Sequence, residues 1–270
     1  MWIRQAPGLV KRYYEAASIP ENLYWNLSRK HIRIVTRDRR FIKLNTIRNR
    51  INPRALWRLC ARYAPTHVYM SVLDYLFPER VGLKARAKYA YPIGGEYVVD
   101  VDNYLFRGID THEHPRIWVC NTCLEIARRY TIRLSEIIEE NYSNIMIVFS
   151  GARGFHIHVL DFKVGDWTFY NEHDPVKSHE VARFRYTLHL SRQLDTRFDE
   201  PHFTLSVDPM RVISVPYSLN GSTMLICKPI GSRLDLERKS VTRILDEANP
   251  SLALWPVKVT PEHGSDEHER

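Results

Sequence analysis

The sequence predicts a chain that mixes strands and helices, of the α/β or α+β class and not all-helical, on three observations. Four segments rich in β-branched and aromatic residues end in turn residues: THVYMSV (66–72), EYVVDV (96–101), NIMIVF (144–149) and FHIHVL (155–160). Other stretches carry apolar residues three or four apart, the helical period. The spacings between the strand segments include both hairpin length and longer connections. The 270 residues, 44% hydrophobic, suit one large domain or two small ones and provide ample material for a core. Disordered and collagenous chains are excluded.

In chain order, the first distinctive region is basic. Residues 1–90 hold 19 Lys/Arg against 5 Asp/Glu, which leaves 20 against 26 for residues 91–270. Within Arg29–Arg62 there are twelve Lys/Arg, opposed by Asp38 alone. A helix is expected from Asn52, a cap, and Pro53, suited to the first helical position, up to Pro65, with Leu56, Leu59, Cys60 and Tyr63 as its apolar stripe. Arg54, Arg58 and Arg62 follow at i, i+4 and i+8 on its other side, as a solvated face or as a ridge for phosphates. A second helix is expected over 121–141, where Leu124, Ile126, Ala127, Leu134, Ile137 and Ile138 recur at helical spacing, and a third over Ser178–Thr196. The polar end, 260–270, reads as a frayed tail. There is no internal repeat and no Gly/Ser-rich linker. No run approaches eighteen apolar residues and the start lacks a signal-peptide pattern, so a soluble intracellular protein is expected.

Three motifs carry chemistry. In EYVVDVD, Asp100 and Asp102 share one face of a strand about 7 Å apart while Val99 and Val101 turn to the core. Two carboxylates so placed suit a pair of divalent ions in phosphoryl transfer, though the same pattern also ends ordinary strands. In FSGARGFHIHV (149–159), Ser150–Gly154 is a five-residue connection between two strands. Its glycines admit unusual backbone angles and close approach of a ligand, and its N–H groups, Ser150 and Arg153 form a cradle for phosphate oxygens. His156 is expected toward that cleft, and His158 as a satisfied buried residue. In residues 198–230, Asp199 follows a helix and precedes a strand-like run, Asp208 before Pro209 reads as a cap, Arg211 starts a turn, and Ser218–Ser222 form a polar loop. Separately, His112 and His114 precede the C-x-x-C of Cys120 and Cys123, offering two nitrogens and two thiolates to a tetrahedral zinc ion. Four cysteines do not make a disulfide framework for a chain of this length.

The order of an Asp-x-Asp strand end, then S-G-x-R-G-x-H, then a late Asp and a P-x-S-L loop resembles the catalytic small subunit of archaeal and eukaryotic DNA primases and related primase-polymerases. YYEAASIP (13–20) and the run from VYMSVLDYLFP (68–78) to EYVVDVDNYLF (96–106) are similar to the family as well. The resemblance implies an α+β fold with a mixed or antiparallel catalytic sheet flanked by helices. It implies a single domain over 1–259, basic in 1–90, with the motifs in 91–259 and a zinc-binding insertion near 110–125. It makes Asp100, Asp102 and Asp199 ligands of catalytic Mg²⁺ or Mn²⁺, gives Ser150, Arg153, His156 and Arg211 to the nucleotide triphosphate, and makes His112, His114, Cys120 and Cys123 a structural zinc site. DEPHFT echoes the family's D-E-x-V-T. An ungapped count back from Pro216 would instead place His202 there, so a short insertion is assumed and Asp208 is the alternative third carboxylate. The family's R-x-x-R-x-P-x-S-x-H is met by Arg211, Ser214, Pro216, Ser218 and Asn220, lacking the second basic residue and the histidine.

The function expected from this resemblance is template-directed nucleotidyl transfer, making or extending primers on single-stranded DNA from NTPs or dNTPs, with a primase large subunit as partner and no membrane. The compartment expected is the cytoplasm, near the nucleoid, or the nucleus. Two other readings compete: a catalytically weakened, primase-like nucleic-acid or nucleotide-binding module, and a two-metal nuclease, which gives no role to the glycine turn.

Overall fold

The computed structural model describes residues 7–17, 25–45, 51–81, 87–102, 119–194 and 206–250. Asp199, His112, His114 and the 260–270 tail lie outside them. The described chain builds two sheets, and every strand pairing in them is antiparallel.

The first sheet holds β1 (Lys30–Val35), β2 (Phe41–Lys43), β3 (His67–Tyr75), β4 (Pro92–Gly95) and β8 (Val212–Ser214), ordered β2-β1-β3-β4 with β8 also on β3. The second holds β5 (Tyr97–Asp102), β6 (Ile145–Phe149), β7 (Gly154–Val159) and β9 (Lys228–Gly231), in the order β5-β7-β6-β9. Period-two alternation divides the faces of the second sheet. Tyr97, Val99, Val101, Ile147, Phe149, Phe155 and Ile157 form one core with the helices α3 (Asn121–Glu139), α4 (Pro175–Gln193), α5 (Arg233–Glu237) and α6 (Val241–Glu247). Val98, Met146 and Val148, on the opposite face, join a second core. Its other members include Ile32, Ile34, Val68 and Met70 of the first sheet and residues of α1 (Pro7–Ala16) and α2 (Pro53–Tyr63). Asp100, Asp102 and His156 share the face of Val98 and so look toward the first sheet.

The four expected strands and three expected helices are present with shifted ends. Asn52 caps α2 by accepting the Ala55 N–H at 2.8 Å, and Ala64 ends it in the left-handed region at φ 42°. The expected apolar stripe of α2 is corrected: Leu56, Trp57 and Cys60 are its buried residues, while Tyr63 is exposed. Tyr14 of α1 packs edge-on against Trp57, which decides the buried side of the helix. Ser206 and Val207, ahead of the Asp208 turn, are helical.

A buried polar network joins the sheets. Lys30 pairs with Asp74 and with Glu96, each at 3.2 Å, and Glu96 also accepts from Trp25 Nε1 at 2.8 Å and meets His158 Nδ1 at 2.8 Å. Arg183 of α4 donates to the Glu96 carbonyl. Burial by itself would raise the Glu96 carboxyl, but Lys30, His158 and Trp25 outweigh it and hold the group to about 2. This network anchors the start of β5, four residues before Asp100.

Candidate active site

The β5–β7 ladder sets Asp100 opposite His156 and Asp102 opposite Gly154. Gly154 is required by the neighbouring strand: a Cβ at this position would lie 1.8 Å from the Val101 carbonyl oxygen. The close approach expected at this glycine is therefore to backbone and not to a ligand. Gly151 has the expected unusual angle, φ +76°, and a Cβ there would crowd the Leu225 carbonyl at 3.0 Å.

Between the strands, the Ser150 N–H donates to the Gly154 carbonyl at 3.0 Å and closes the turn. Ser150 Oγ accepts the N–H groups of Ala152 at 3.3 Å and Gly154 at 3.4 Å. Those two amides are thus engaged within the turn. The 217–224 loop braces the turn from outside. Asn220 Nδ2 donates to the Ser150 carbonyl at 3.5 Å, and the Thr223 hydroxyl donates to the Gly151 carbonyl.

Two arginines reach the aspartates. Arg153 Nη2 lies 3.2 Å from Asp102 Oδ2, and Arg211 Nη2 donates to Asp100 Oδ2. Arg211 is delivered by β8, since its carbonyl accepts the Val72 N–H of β3 at 3.1 Å. His156 Nε2 stands 3.5 Å from the second Asp100 oxygen. Burial pushes the Asp100 carboxyl up, but Arg211, His156 and Arg153 together outweigh it and hold the group below the usual carboxylate range. Burial drives His156 down to about 4 against the pull of Asp100, so the ring is neutral at pH 7. His156 Nδ1 and Arg211 Nη1 are buried and have no hydrogen-bond partner among the described residues. Buried polar atoms are nearly always satisfied, so two such atoms in one cleft point to a polar ligand.

The structure thus gathers six predicted residues: Asp100, Asp102, Ser150, Arg153, His156 and Arg211. His158 is buried on Glu96 as expected. Asp208 is exposed and accepts the Met210 N–H at 2.8 Å; residues 209–210 form a turn ahead of β8 and not a helix, so the helix-cap reading is corrected to a turn-closing residue. Among the described residues no three His, Cys, Asp or Glu side chains converge as a metal site, so Asp208 does not complete a triad with the two aspartates. Cys120 stands at the N-cap of α3 and Cys123 in its first turn, both half-buried and neither in a disulfide among the described residues. Hydrogen bonds with Cys123 and Thr122 lower the Cys120 thiol despite the opposing effect of burial. Arg54, Arg58 and Arg62 are exposed on α2, without a carboxylate partner among the described residues. Sequence reasoning missed Glu96 and Lys30. It also gave no role to Asn220, which stands where the family has a histidine and which holds the glycine turn.

A profile of the DNA primase small subunit family matches residues 109–232, a span that takes in the glycine turn and Arg211. The DNA primase small subunit of Pyrobaculum calidifontis is 28% identical over 228 residues, covering 73% of this chain and 69% of its own. That of Methanocaldococcus jannaschii is 32% identical over 110 residues, covering 38% and 30%. The chain is thus similar to DNA primase small subunits over most of its length. These similarities support a nucleotidyltransferase of the primase class. The fold is also similar to the polymerase domain of Mycobacterium tuberculosis ligase D, solved in complex with DNA. The TM-score is 0.57, covering 92% of this chain and 87% of that one at 13% identity. No helix among the described residues is long and apolar enough to cross a membrane.

Proposed function

We propose that this chain synthesises or extends primers on single-stranded DNA by template-directed nucleotidyl transfer. The observation that carries the reading is the meeting in one cleft of Asp100, Asp102 and the glycine turn, set together by the β5–β7 register, with Arg211, delivered by β8, on Asp100. Asp100 and Asp102 fit Mg²⁺ or Mn²⁺: both are hard oxygen donors on one strand face, part-exposed at 23% and 19%. Asp199 is the third ligand of the proposal. The metal would supply Lewis-acid stabilisation of charge on the transferring phosphoryl group.

The chain's own residues do the rest. Arg211 presents its unpartnered Nη1, and Arg153 its guanidinium, as charge-assisted donors to triphosphate oxygens. His156, neutral and held beside Asp100, adds a donor or acceptor at Nδ1. The Ser150 hydroxyl, accepting two amides through its oxygen, keeps its own hydrogen to donate. Asn220 and Thr223 fix the turn that carries Ser150. Zinc held by His112, His114, Cys120 and Cys123, a basic first third that grips the template, and a large-subunit partner complete the proposal, on a single domain over 1–259. The weakened-module reading draws on Ser214 and Asn220, which replace the family's basic residue and histidine.

The test is incorporation of labelled nucleotide by the purified chain on single-stranded template with Mn²⁺, with and without a candidate large subunit. Asp100→Ala with Asp102→Ala abolishes product while the melting transition persists, Asp199→Ala does the same, and Asp208→Ala does not. Full incorporation by the double variant overturns the assignment. Template binding without product in either condition turns it into the binding module.

A further inference from the structure

The face of the first sheet that looks away from the cleft is not built like a core. Pairing registers place Lys43, Arg33, Tyr69 and Ser214 in one row across β2, β1, β3 and β8, and Phe41, Val35 and His67 in the next. Neither row contains a carboxylate. Phe41 is 66% exposed, with the Arg33 guanidinium over its ring at 5.5 Å. His67 and Tyr69 stack with ring centroids 5.6 Å apart and planes at 12°. At the end of α2, leading into β3, Arg62 lies over the part-exposed Tyr63 ring at 5.6 Å. The carboxylates at the border, Asp38 in the β1–β2 hairpin and Glu79 beside Lys43, are outnumbered by Arg33, Arg37, Arg39, Arg40 and Lys43. Arg33 Nε is buried and has no hydrogen-bond partner among the described residues.

We infer that this face is a stacking platform for single-stranded nucleic acid, with bases on Phe41 and the Tyr69–His67 pair and phosphates along the surrounding arginines. Aromatic rings interleaved with cations on an open sheet face are what an unpaired strand recognises, because every base has a π-face and every linkage a charge. The platform is continuous with the proposed active site. The Gly221 N–H reaches His67 Nδ1 at 3.5 Å, and the same loop holds the Ser150 turn through Asn220 and Thr223. A strand lying on the platform therefore leads toward the nucleotide cradle. The inference rests on the template-directed reading and gives the strand a path.

The test compares an oligothymidylate with an abasic oligonucleotide of equal length, binding each to the full chain by fluorescence anisotropy. The chain prefers the base-bearing strand by about tenfold or more. Phe41→Ala removes most of that preference, Phe41→Trp restores it, and Arg33→Gln weakens both strands by similar factors. Phe41 is exposed, so its substitution leaves the melting temperature in place, and template KM rises by the same factor as the binding constant. A Phe41→Ala chain with undiminished preference overturns the platform, whether or not the face then proves to dock a protein. In that case, nucleotide incorporation that still depends on Asp100 and Asp102 leaves the enzymatic reading standing. Loss of incorporation from the unaltered chain removes that reading instead.

Discussion

Gly154→Ala tests the link between strand packing and chemistry most directly. The added methyl carbon would sit 1.8 Å from the Val101 carbonyl oxygen, 2.8 Å from its carbon and 3.0 Å from Asp102 Cα. No side-chain rotation relieves a clash with backbone, so β5 and β7 must part by roughly 1 Å or more beside Asp102. Overpacking of this kind costs about 1–3 kcal/mol. The β5–β7 ladder continues through Tyr97↔Val159 with both faces covered, so the sheet survives and the distortion concentrates at its Asp102 end. A misplacement near 1 Å at a phosphoryl-transfer site lowers turnover on the order of 100-fold. Incorporation kinetics should therefore fall about 100-fold while thermal unfolding stays cooperative with a modestly lower midpoint. Gly94→Ala and Gly165→Ala, where a Cβ meets nothing within 4 Å, are the controls and should leave both measurements unchanged. Wild-type turnover in Gly154→Ala would show that the carboxylates tolerate a shifted strand, and the positional argument would fail.

Glu96→Gln leaves Lys30 short of a buried counter-charge and should lower stability by about 3–5 kcal/mol, read from urea unfolding. Because the folded Glu96 is held to about 2, below its unfolded value, its stabilisation is complete above the ordinary carboxylate range and is lost as pH falls toward 2. The variant should therefore flatten the acid limb of stability against pH. His156 and His31, each driven by burial to about 4, act at higher pH: the unfolded chain takes up their protons first, so stability declines as pH falls from about 6.5 to 4. Neutralising Arg54, Arg58 and Arg62 together should weaken template binding and reduce the slope of log affinity against log salt by about 2. An unchanged slope would make that arginine row a solvated face.

Much of this protein was legible along the chain because its signals are local. Alternation in EYVVDVD assigned Asp100 and Asp102 to one face, and the Asn52–Pro53 pair started α2; the Asp208–Pro209 pair, read as a helix cap, proved to start a turn. The apolar side of α2 was misread because Leu59 and Tyr63 satisfy helical spacing as well as Trp57 does. Only the approach of Tyr14, 43 positions earlier in sequence, selects between them.

The sequence alone determined which groups exist and which strand face or turn each occupies, since those follow from two-residue and 3.6-residue periods and from glycine and proline chemistry. The tertiary structure decided their partners. Arg211 meets Asp100 across 111 positions, and Glu96 gathers Lys30 and His158 from 66 and 62 positions away. Gly154 answers to a carbonyl on another strand. Such pairings depend on how two sheets pack, and packing is a property of the whole chain that no local spacing encodes.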